Sequence, residues 1–410
     1  MLKYSKFLFN GIRGRNPVQV TLFVTSRCNL RCKMCFYWEP IENSSKGEIS
    51  LNEIEKISKS MPNFTWLLIG GGEPFIRKDL PDIITHFYNN NDIKNVSIPT
   101  NATYPDSVSK ALDRILTECP KLFLNLNLSL NGLHEDHDEI CMVDGVFEKV
   151  RVTYQKVVEM KKKYNNFGVG FNITCSNHSQ ENLLDMLDYI KNHFPGIDNV
   201  SMGLARGRPK ETVTLNVDIN NYKAAVEKIE TMVIQNKINA YDSVVGKILF
   251  IKDVILRRII ARTSQNGYQI PCTAGKLTMV IDEKTNVYPC ELLPAVGNLR
   301  QAGYNFSKIY RGEKLKTVVE KIECENCFCT HECNYNVNVL FAPQLWPFFA
   351  RHFLSFKTKQ LFGAKKFFDF DRVKLPNPSK QKSYGGQKGR LYPGTSFGVI
   401  NDKDKVDATV

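Results

Sequence analysis

A chain of 410 residues with 42% hydrophobic residues and a formal charge of +13 is long enough for a full enzyme domain and a smaller one around a large core. It has no run of eighteen uninterrupted apolar residues, and its charged, aromatic start lacks a cleavage site, so neither a membrane-spanning helix nor a signal peptide is expected. Nine of its 12 cysteines fall in two fields, which speaks against a secreted disulfide framework and for a reducing cytoplasm. The charge is uneven: residues 1–20 carry +4, residues 334–410 carry +8, and the body between them carries only +1. That distribution disfavours a nucleic-acid groove across the body and points to an anionic surface met by the termini, with solvated tails as the alternative.

In chain order, residues 18–24 alternate and are β-rich, which predicts a strand running into Cys28-x3-Cys32-x2-Cys35. Ser50 followed by Glu53 predicts a capping box opening a helix over 51–60. Strands are expected at 66–69, 96–98, 122–130, 169–175 and 200–204, with helices at 80–89, 107–117, 147–164 and 181–193. Strand and helix alternate six times with short loops, the pattern of right-handed βαβ crossovers and a parallel sheet. The Gly-rich and polar stretches Gly70-Gly71-Gly72-Glu73-Pro74, Pro99-Thr100-Asn101, Ser129-Leu130-Asn131-Gly132 and Ala205-Arg206-Gly207 all follow strands. In parallel α/β folds active sites are built on that edge, so the cysteine loop, Glu73, Asn101, Asn131 and Arg206 should converge. His134 and His137 are expected as solvated loop residues, and Cys119, Cys141 and Cys175 as buried structural thiols.

Three thiolates on one loop can ligate three irons of a 4Fe-4S cube and leave the fourth open, as in catalytic rather than structural metal sites. Cys28-x3-Cys32-x2-Cys35 after a first strand, joined to Gly71-Gly72-Glu73-Pro74 after a second, resembles the radical SAM superfamily over about residues 18–210. The resemblance implies an α/β fold, a partial (β/α)6 TIM-like barrel. It implies that Cys28, Cys32 and Cys35 ligate a 4Fe-4S cluster whose open iron is chelated by S-adenosylmethionine. One electron would then cleave the sulfonium, and a 5′-deoxyadenosyl radical would abstract hydrogen from the substrate. It places Met34, with Phe36 beside it, against adenine. It also gives Gly71, Gly72 and Glu73 to the methionyl ammonium, and Ser129 and Asn131 to ribose. Asn101 belongs to a stretch resembling Thr-Asn-Gly with Ala102 in place of Gly. Arg206 offers a bidentate fork to the methionyl carboxylate, or is a surface arginine before a turn. Asn131 stands where many relatives carry Asp; it can still bond ribose but brings no charge.

A second field follows: Cys272, Cys290 and then Cys324-x2-Cys327-x-Cys329-x3-Cys333. Residues 277–281 and 287–288 around Asp282–Asn286 predict a hairpin between its first two cysteines. The field resembles the SPASM/twitch extension of radical SAM enzymes, which implies at least one auxiliary 4Fe-4S cluster. A full extension has seven cysteines; here there are six and the Cys327-x-Cys329 spacing is short, so the six form a ligand pool without assignment. His331 offers a substitute ligand, and zinc is the structural alternative.

These readings divide the chain into a basic arm (1–17), a core (18–210), a helical connector (211–266), a cysteine-rich extension (267–335), a basic aromatic segment (336–373) and a disordered tail (374–410). The arm, the helix over 247–262 and the aromatic segment share a composition suited to a membrane surface, which suggests peripheral contact with an anionic membrane at its inner face. Aromatics packed onto the barrel are the alternative. The expected activity is that of a cytoplasmic radical SAM enzyme, with an electron donor such as flavodoxin or ferredoxin. Its substrate is a peptide or an amphiphilic small molecule. The alternative of another class is a non-catalytic iron–sulfur or zinc protein.

Overall fold

The computed structural model describes Gly11, Gly14 and residues 16–44, 47–235, 238 and 244–361. Most of the expected basic arm, the end of the aromatic segment and the whole tail lie outside the described residues. Six parallel strands form the frame: β1 (Gln19–Phe23), β2 (Trp66–Gly70), β3 (Asn95–Thr100), β4 (Phe123–Ser129), β5 (Phe167–Cys175) and β6 (Asn199–Leu204). They lie side by side in chain order, as successive right-handed crossovers require. The helix Leu51–Ser60 begins with the capping box expected there, Ser50 and Glu53 each accepting the other's main-chain N–H.

The cysteine-rich region continues this sheet rather than standing apart. Strand β7 (Thr278–Ile281) runs parallel to β1, with Gln19 opposite Thr278, and β8 (Asn286–Tyr288) and β9 (Gly297–Asn298) follow antiparallel. The hairpin expected at 277–288 is present, but its first strand is also a seventh barrel strand. The nine-stranded sheet ends at β6 on one side and β9 on the other and does not close, a partial barrel. Arg300 and Tyr304 bond to Glu53 at 2.7 and 3.0 Å and tie this region to the first core helix.

Alternation along the strands divides the sheet into two faces. Leu67, Val96, Leu124, Leu126 and Phe171 are buried in one core with Leu112, Ile115 and Val150 of the covering helices. The opposite face carries Ser97, Asn125, Asn127, Asn172 and Ser201 at intermediate exposure, with Asn127 donating to Ser97 Oγ at 2.8 Å. The inside of the barrel is therefore polar. The repeat Asn125-Leu126-Asn127-Leu128 carries that signal with a period of two.

Two of the segments suited by composition to a membrane surface are placed otherwise. In the helix Val244–Asn266, Ile251, Val254, Ile255, Ile259 and Ile260 are buried in the main core. Three of its cations face the protein: Arg257 donates to the Val200 carbonyl at 2.8 Å, Arg258 pairs with Glu230 at 3.0 Å, and Lys252 bonds Asn336 at 2.7 Å. In the helix Trp346–Leu361, Phe348, Phe349 and Phe353 pack against the same core. Packing onto the barrel, the alternative in each case, is what the described residues show. None of their helices is long and apolar enough to cross a membrane.

Candidate active site

The loop after β1 is held from three sides. From the second strand, Gly72 N–H donates to the Thr25 carbonyl at 2.7 Å and Glu73 N–H to the Arg27 carbonyl at 2.8 Å. From the helix His134–Cys141, the Ile140 carbonyl accepts from Lys33 N–H at 3.0 Å. Beyond β6, Lys210 and Glu211 donate to the carbonyls of Cys35 and Lys33. Glu48 adds a carboxylate that accepts from Thr25 Oγ1 at 2.6 Å and Ser26 N–H at 2.9 Å. The two glycines serve this close approach. A Cβ on Gly71, whose φ is +123°, would stand 2.3 Å from the Thr25 carbonyl oxygen, and one on Gly72 2.0 Å from that of Arg27. Their demand for space comes from the protein's own loop.

Cys28, Cys32 and Cys35 are electrostatic neighbours on this loop. Burial pushes the Cys28 thiol up to about 11 and that of Cys35 to about 12. Arg31 offsets this only in part for Cys28 and Cys35, and three clustered thiols so placed fit a cationic metal centre, which would deprotonate them. The Cys32 thiol is raised first by its hydrogen bond to Cys141 and then by burial.

Glu73 is 1% exposed. Its carboxylate accepts from Phe75 N–H at 3.1 Å, Thr100 Oγ1 at 2.8 Å and Asn101 N–H at 2.7 Å. It thus caps the short helix after it and clamps the ends of β2 and β3 together. Among the described residues no cationic side chain pairs with it, and burial raises its pKa to about 7 despite the three donors. Asn101 reaches the cysteine loop: its Nδ2 donates to Asn29 Oδ1 at 2.9 Å and lies 3.9 Å from Cys28 Sγ. Ala102, at the expected Gly position, holds a φ of +60°.

Ser129 ends β4 half-buried. Asn131 is buried, and its Oδ1 accepts Thr174 N–H at 2.8 Å. Its own N–H donates to His137 Nδ1 at 3.1 Å, and His137 Nε2 lies 3.7 Å from Cys141 Sγ. A chain of contacts thus runs from Asn131 through His137 and Cys141 to Cys32. The expectation of a solvated His137 fails: it is 1% exposed on a helix, and burial depresses its pKa to about 4. His134 is exposed as expected. His137 and Cys141 stand four residues apart, one helical turn, and that spacing was the available signal.

Met34 is buried, and Phe36 packs edge-on to Phe23 and Tyr37. The Arg206 guanidinium lies 4.8 Å over the Phe36 ring. Its Nη1 bonds both oxygens of Glu332 at 2.9 and 3.1 Å, and its Nη2 lies 3.4 Å from Glu291. Arg206 is neither a surface residue nor an open fork; it joins the end of β6 to the cysteine-rich region.

The second field separates into parts. Cys272 and Cys327 share a hydrogen bond that lowers the first thiol's pKa and raises the second's, and Cys327 also feels Cys290 and Cys329. These four pack with Ala274, Leu292 and Ile322 as one group of thiols. Cys324 departs from the expected pool: it is exposed at the end of the helix Glu313–Cys324. Cys333 has Glu332, Glu291 and Arg206 as its charged neighbours. Spacing alone could not sort the six, because a helix end turns Cys324 outward while the loop after it turns Cys327 and Cys329 inward.

Residues 22–190 match the Radical SAM superfamily model. A probable GTP 3′,8-cyclase of Methanococcus maripaludis (strain C5) is 32% identical over 155 residues, 36% of this chain and 47% of the relative. The GTP 3′,8-cyclase of Listeria monocytogenes serotype 4b is 32% identical over 151 residues, 36% of this chain and 43% of the relative. The chain thus spans about half the length of the curated relatives it matches. Among solved structures, Streptococcus suis SuiB bound to its precursor peptide SuiA superposes with a TM-score of 0.52 at 16% identity, over 76% of this chain and 70% of that one. Native anSMEcpe with bound AdoMet superposes with a TM-score of 0.51 at 16% identity, over 82% of this chain and 100% of that one. Those likenesses concern the fold. Over residues 22–190, which carry the cysteine loop and most of the parallel partial barrel, this chain is thus similar to the Radical SAM superfamily.

Proposed function

We propose that Cys28, Cys32 and Cys35 hold a 4Fe-4S cluster and that S-adenosylmethionine binds beside it, in contact with Met34, Phe36, Gly71, Gly72, Glu73, Asn101, Ser129 and Asn131. When bound, cluster and cofactor supply one-electron cleavage of a sulfonium and hydrogen abstraction from an unactivated carbon. The observation that carries the reading is Glu73: a buried carboxylate, held by three donors and lacking a cationic partner among the described residues, beside the cysteine loop. Such a carboxylate needs a cation to complete it, and the methionyl ammonium is one. Glu73 orients that group, and Asn101, anchored by its N–H to Glu73, keeps the Cys28 side of the loop in register. Met34 and Phe36 offer apolar surface to a purine and exclude water. Arg206 serves by bracing the mouth against the extension.

In this reading Cys272, Cys290, Cys327 and Cys329 hold one auxiliary 4Fe-4S cluster, and the extension 267–335 completes the core 18–210 through β7. A protein reductant such as flavodoxin or ferredoxin supplies electrons, and the chain works in a reducing cytoplasm. The polar inner face, with Ser97, Asn127 and Asn172, favours a substrate rich in hydrogen-bonding groups, a peptide over an amphiphile's tail. Equilibrium binding of S-adenosylmethionine to the anaerobically reconstituted chain tests the reading. Binding that needs the loop cysteines supports it, and no binding to protein with full iron content counts against it.

A further inference from the structure

The open side of the barrel holds a buried polar group that the proposed chemistry does not use. Glu291 follows Cys290, His331 immediately precedes the helix Glu332–Asn338, and Cys333 stands in that helix's first turn. One ligand atom from each of the three lies within 4.8 Å of the others. Glu291 is 4% exposed and His331 1%. The Nε2 of His331 lies 3.1 Å from Glu291 Oε2, within ion-pair distance but not aligned for a hydrogen bond, and it has no other partner among the described residues. A buried ring nitrogen left in that state needs an occupant in front of it.

We propose that Glu291, His331 and Cys333 bind a single zinc-class divalent metal ion, separate from the three-thiol loop and the four-thiol group. The donor set is one nitrogen, one carboxylate oxygen and one thiolate, which suits zinc or ferrous ion and not the hard calcium or magnesium ions. Two ligands each about 2.0–2.3 Å from a tetrahedral ion stand roughly 3.3–3.8 Å apart, so the observed 3.1 Å between His331 and Glu291 needs little adjustment. Charge agrees. Arg206 is bonded to both oxygens of Glu332 and also reaches Glu291 at 3.4 Å, so one cation, two carboxylates and a Cys333 thiolate together leave the two negative charges that balance a divalent ion. The outer shell agrees as well. Asn334 Nδ2 lies 3.4 Å from His331 Nδ1, and Asn334 Oδ1 accepts from Thr278 at 3.2 Å. With its amide turned, a rotation that leaves its shape unchanged, Asn334 accepts the Nδ1 proton and frees the Nε2 lone pair for metal. Three protein ligands leave one position open to water or to a donor atom of the substrate. The site adjoins Arg206, which contacts Glu291 and whose guanidinium covers Phe36, the neighbour of Cys35 in the three-thiol loop.

The inference does not depend on the cofactor reading. The test uses the full chain, anaerobically reconstituted with its clusters oxidised and therefore EPR-silent, and cobalt(II) as the probe. The expected result is about one high-spin cobalt per chain, with pulsed EPR showing coupling to one imidazole nitrogen. His331→Gln and Cys333→Ser should each weaken cobalt binding by at least about tenfold while iron and sulfide content stay unchanged. The site is overturned by absence of stoichiometric cobalt or of the imidazole coupling in the unaltered chain, readouts that no folding defect of a variant can affect. It is equally overturned if Cys333→Ser removes iron and sulfide together, which would make Cys333 a cluster ligand, or if both variants bind cobalt as the unaltered chain does.

Discussion

The carboxylate of Glu73, at the end of β2, accepts the main-chain N–H of Asn101, at the end of β3, at 2.7 Å. The same carboxylate takes Thr100 Oγ1 and Phe75 N–H, so one buried charge fixes two strand ends and faces the cysteine loop. Glu73→Gln keeps the shape and an acceptor but removes the charge. It should weaken S-adenosylmethionine binding by about 10- to 100-fold, the worth of a charge-assisted contact of about 1.5–3 kcal/mol. Isothermal titration on reconstituted protein with unchanged iron content checks this; unaltered affinity would reduce Glu73 to a clamp.

The two thiol groups should be separable by iron counting. Cys32→Ala should remove about four irons and four sulfides per chain and abolish cofactor cleavage, while the four-thiol group keeps its own. Cys141→Ala removes only the buried neighbour of Cys32 and should leave iron content intact.

Within the second field, Cys327 and Cys324 make opposite predictions three residues apart. Cys327→Ala breaks the group formed with Cys272, Cys290 and Cys329 and should cost the auxiliary cluster's iron. Cys324→Ala alters an exposed helix end and should change neither iron content nor stability by more than about 0.5 kcal/mol. Iron and sulfide assays on both variants decide the assignment.

His137 makes stability pH-dependent. Burial lowers its pKa from 6.5 to about 4, so between those values the unfolded chain binds a proton that the folded chain does not. Stability should therefore fall as pH drops from about 6.5 to about 4, by up to about 3 kcal/mol from this residue. His137→Gln should flatten that part of the profile in denaturant melts. An unchanged slope would show that the imidazole protonates in place.

Much of the frame was legible because its signals are local. The capping box at Ser50 and Glu53, the six alternations and the Gly-rich strand ends each depend on a few neighbouring residues. The partners of Arg206 were not legible. Glu291 and Glu332 lie 85 and 126 residues further along the chain, and only the sheet's unexpected continuation through β7 brings them near. The apolar and basic mix of residues 247–262 reads equally as membrane face or core helix, because composition does not say that Arg257 meets the Val200 carbonyl. His137 was misread because a short helix between two longer ones leaves little periodicity, and the acids around it suggested solvent.

The central claim is that the Cys28, Cys32 and Cys35 loop, with Glu73, cleaves S-adenosylmethionine reductively. Chromatography of an anaerobic reaction of the reconstituted chain with dithionite and S-adenosylmethionine measures it directly. The account predicts release of 5′-deoxyadenosine and methionine that is lost in Cys32→Ala. Intact S-adenosylmethionine after incubation with a chain whose loop cluster is present and reduced by EPR would contradict it.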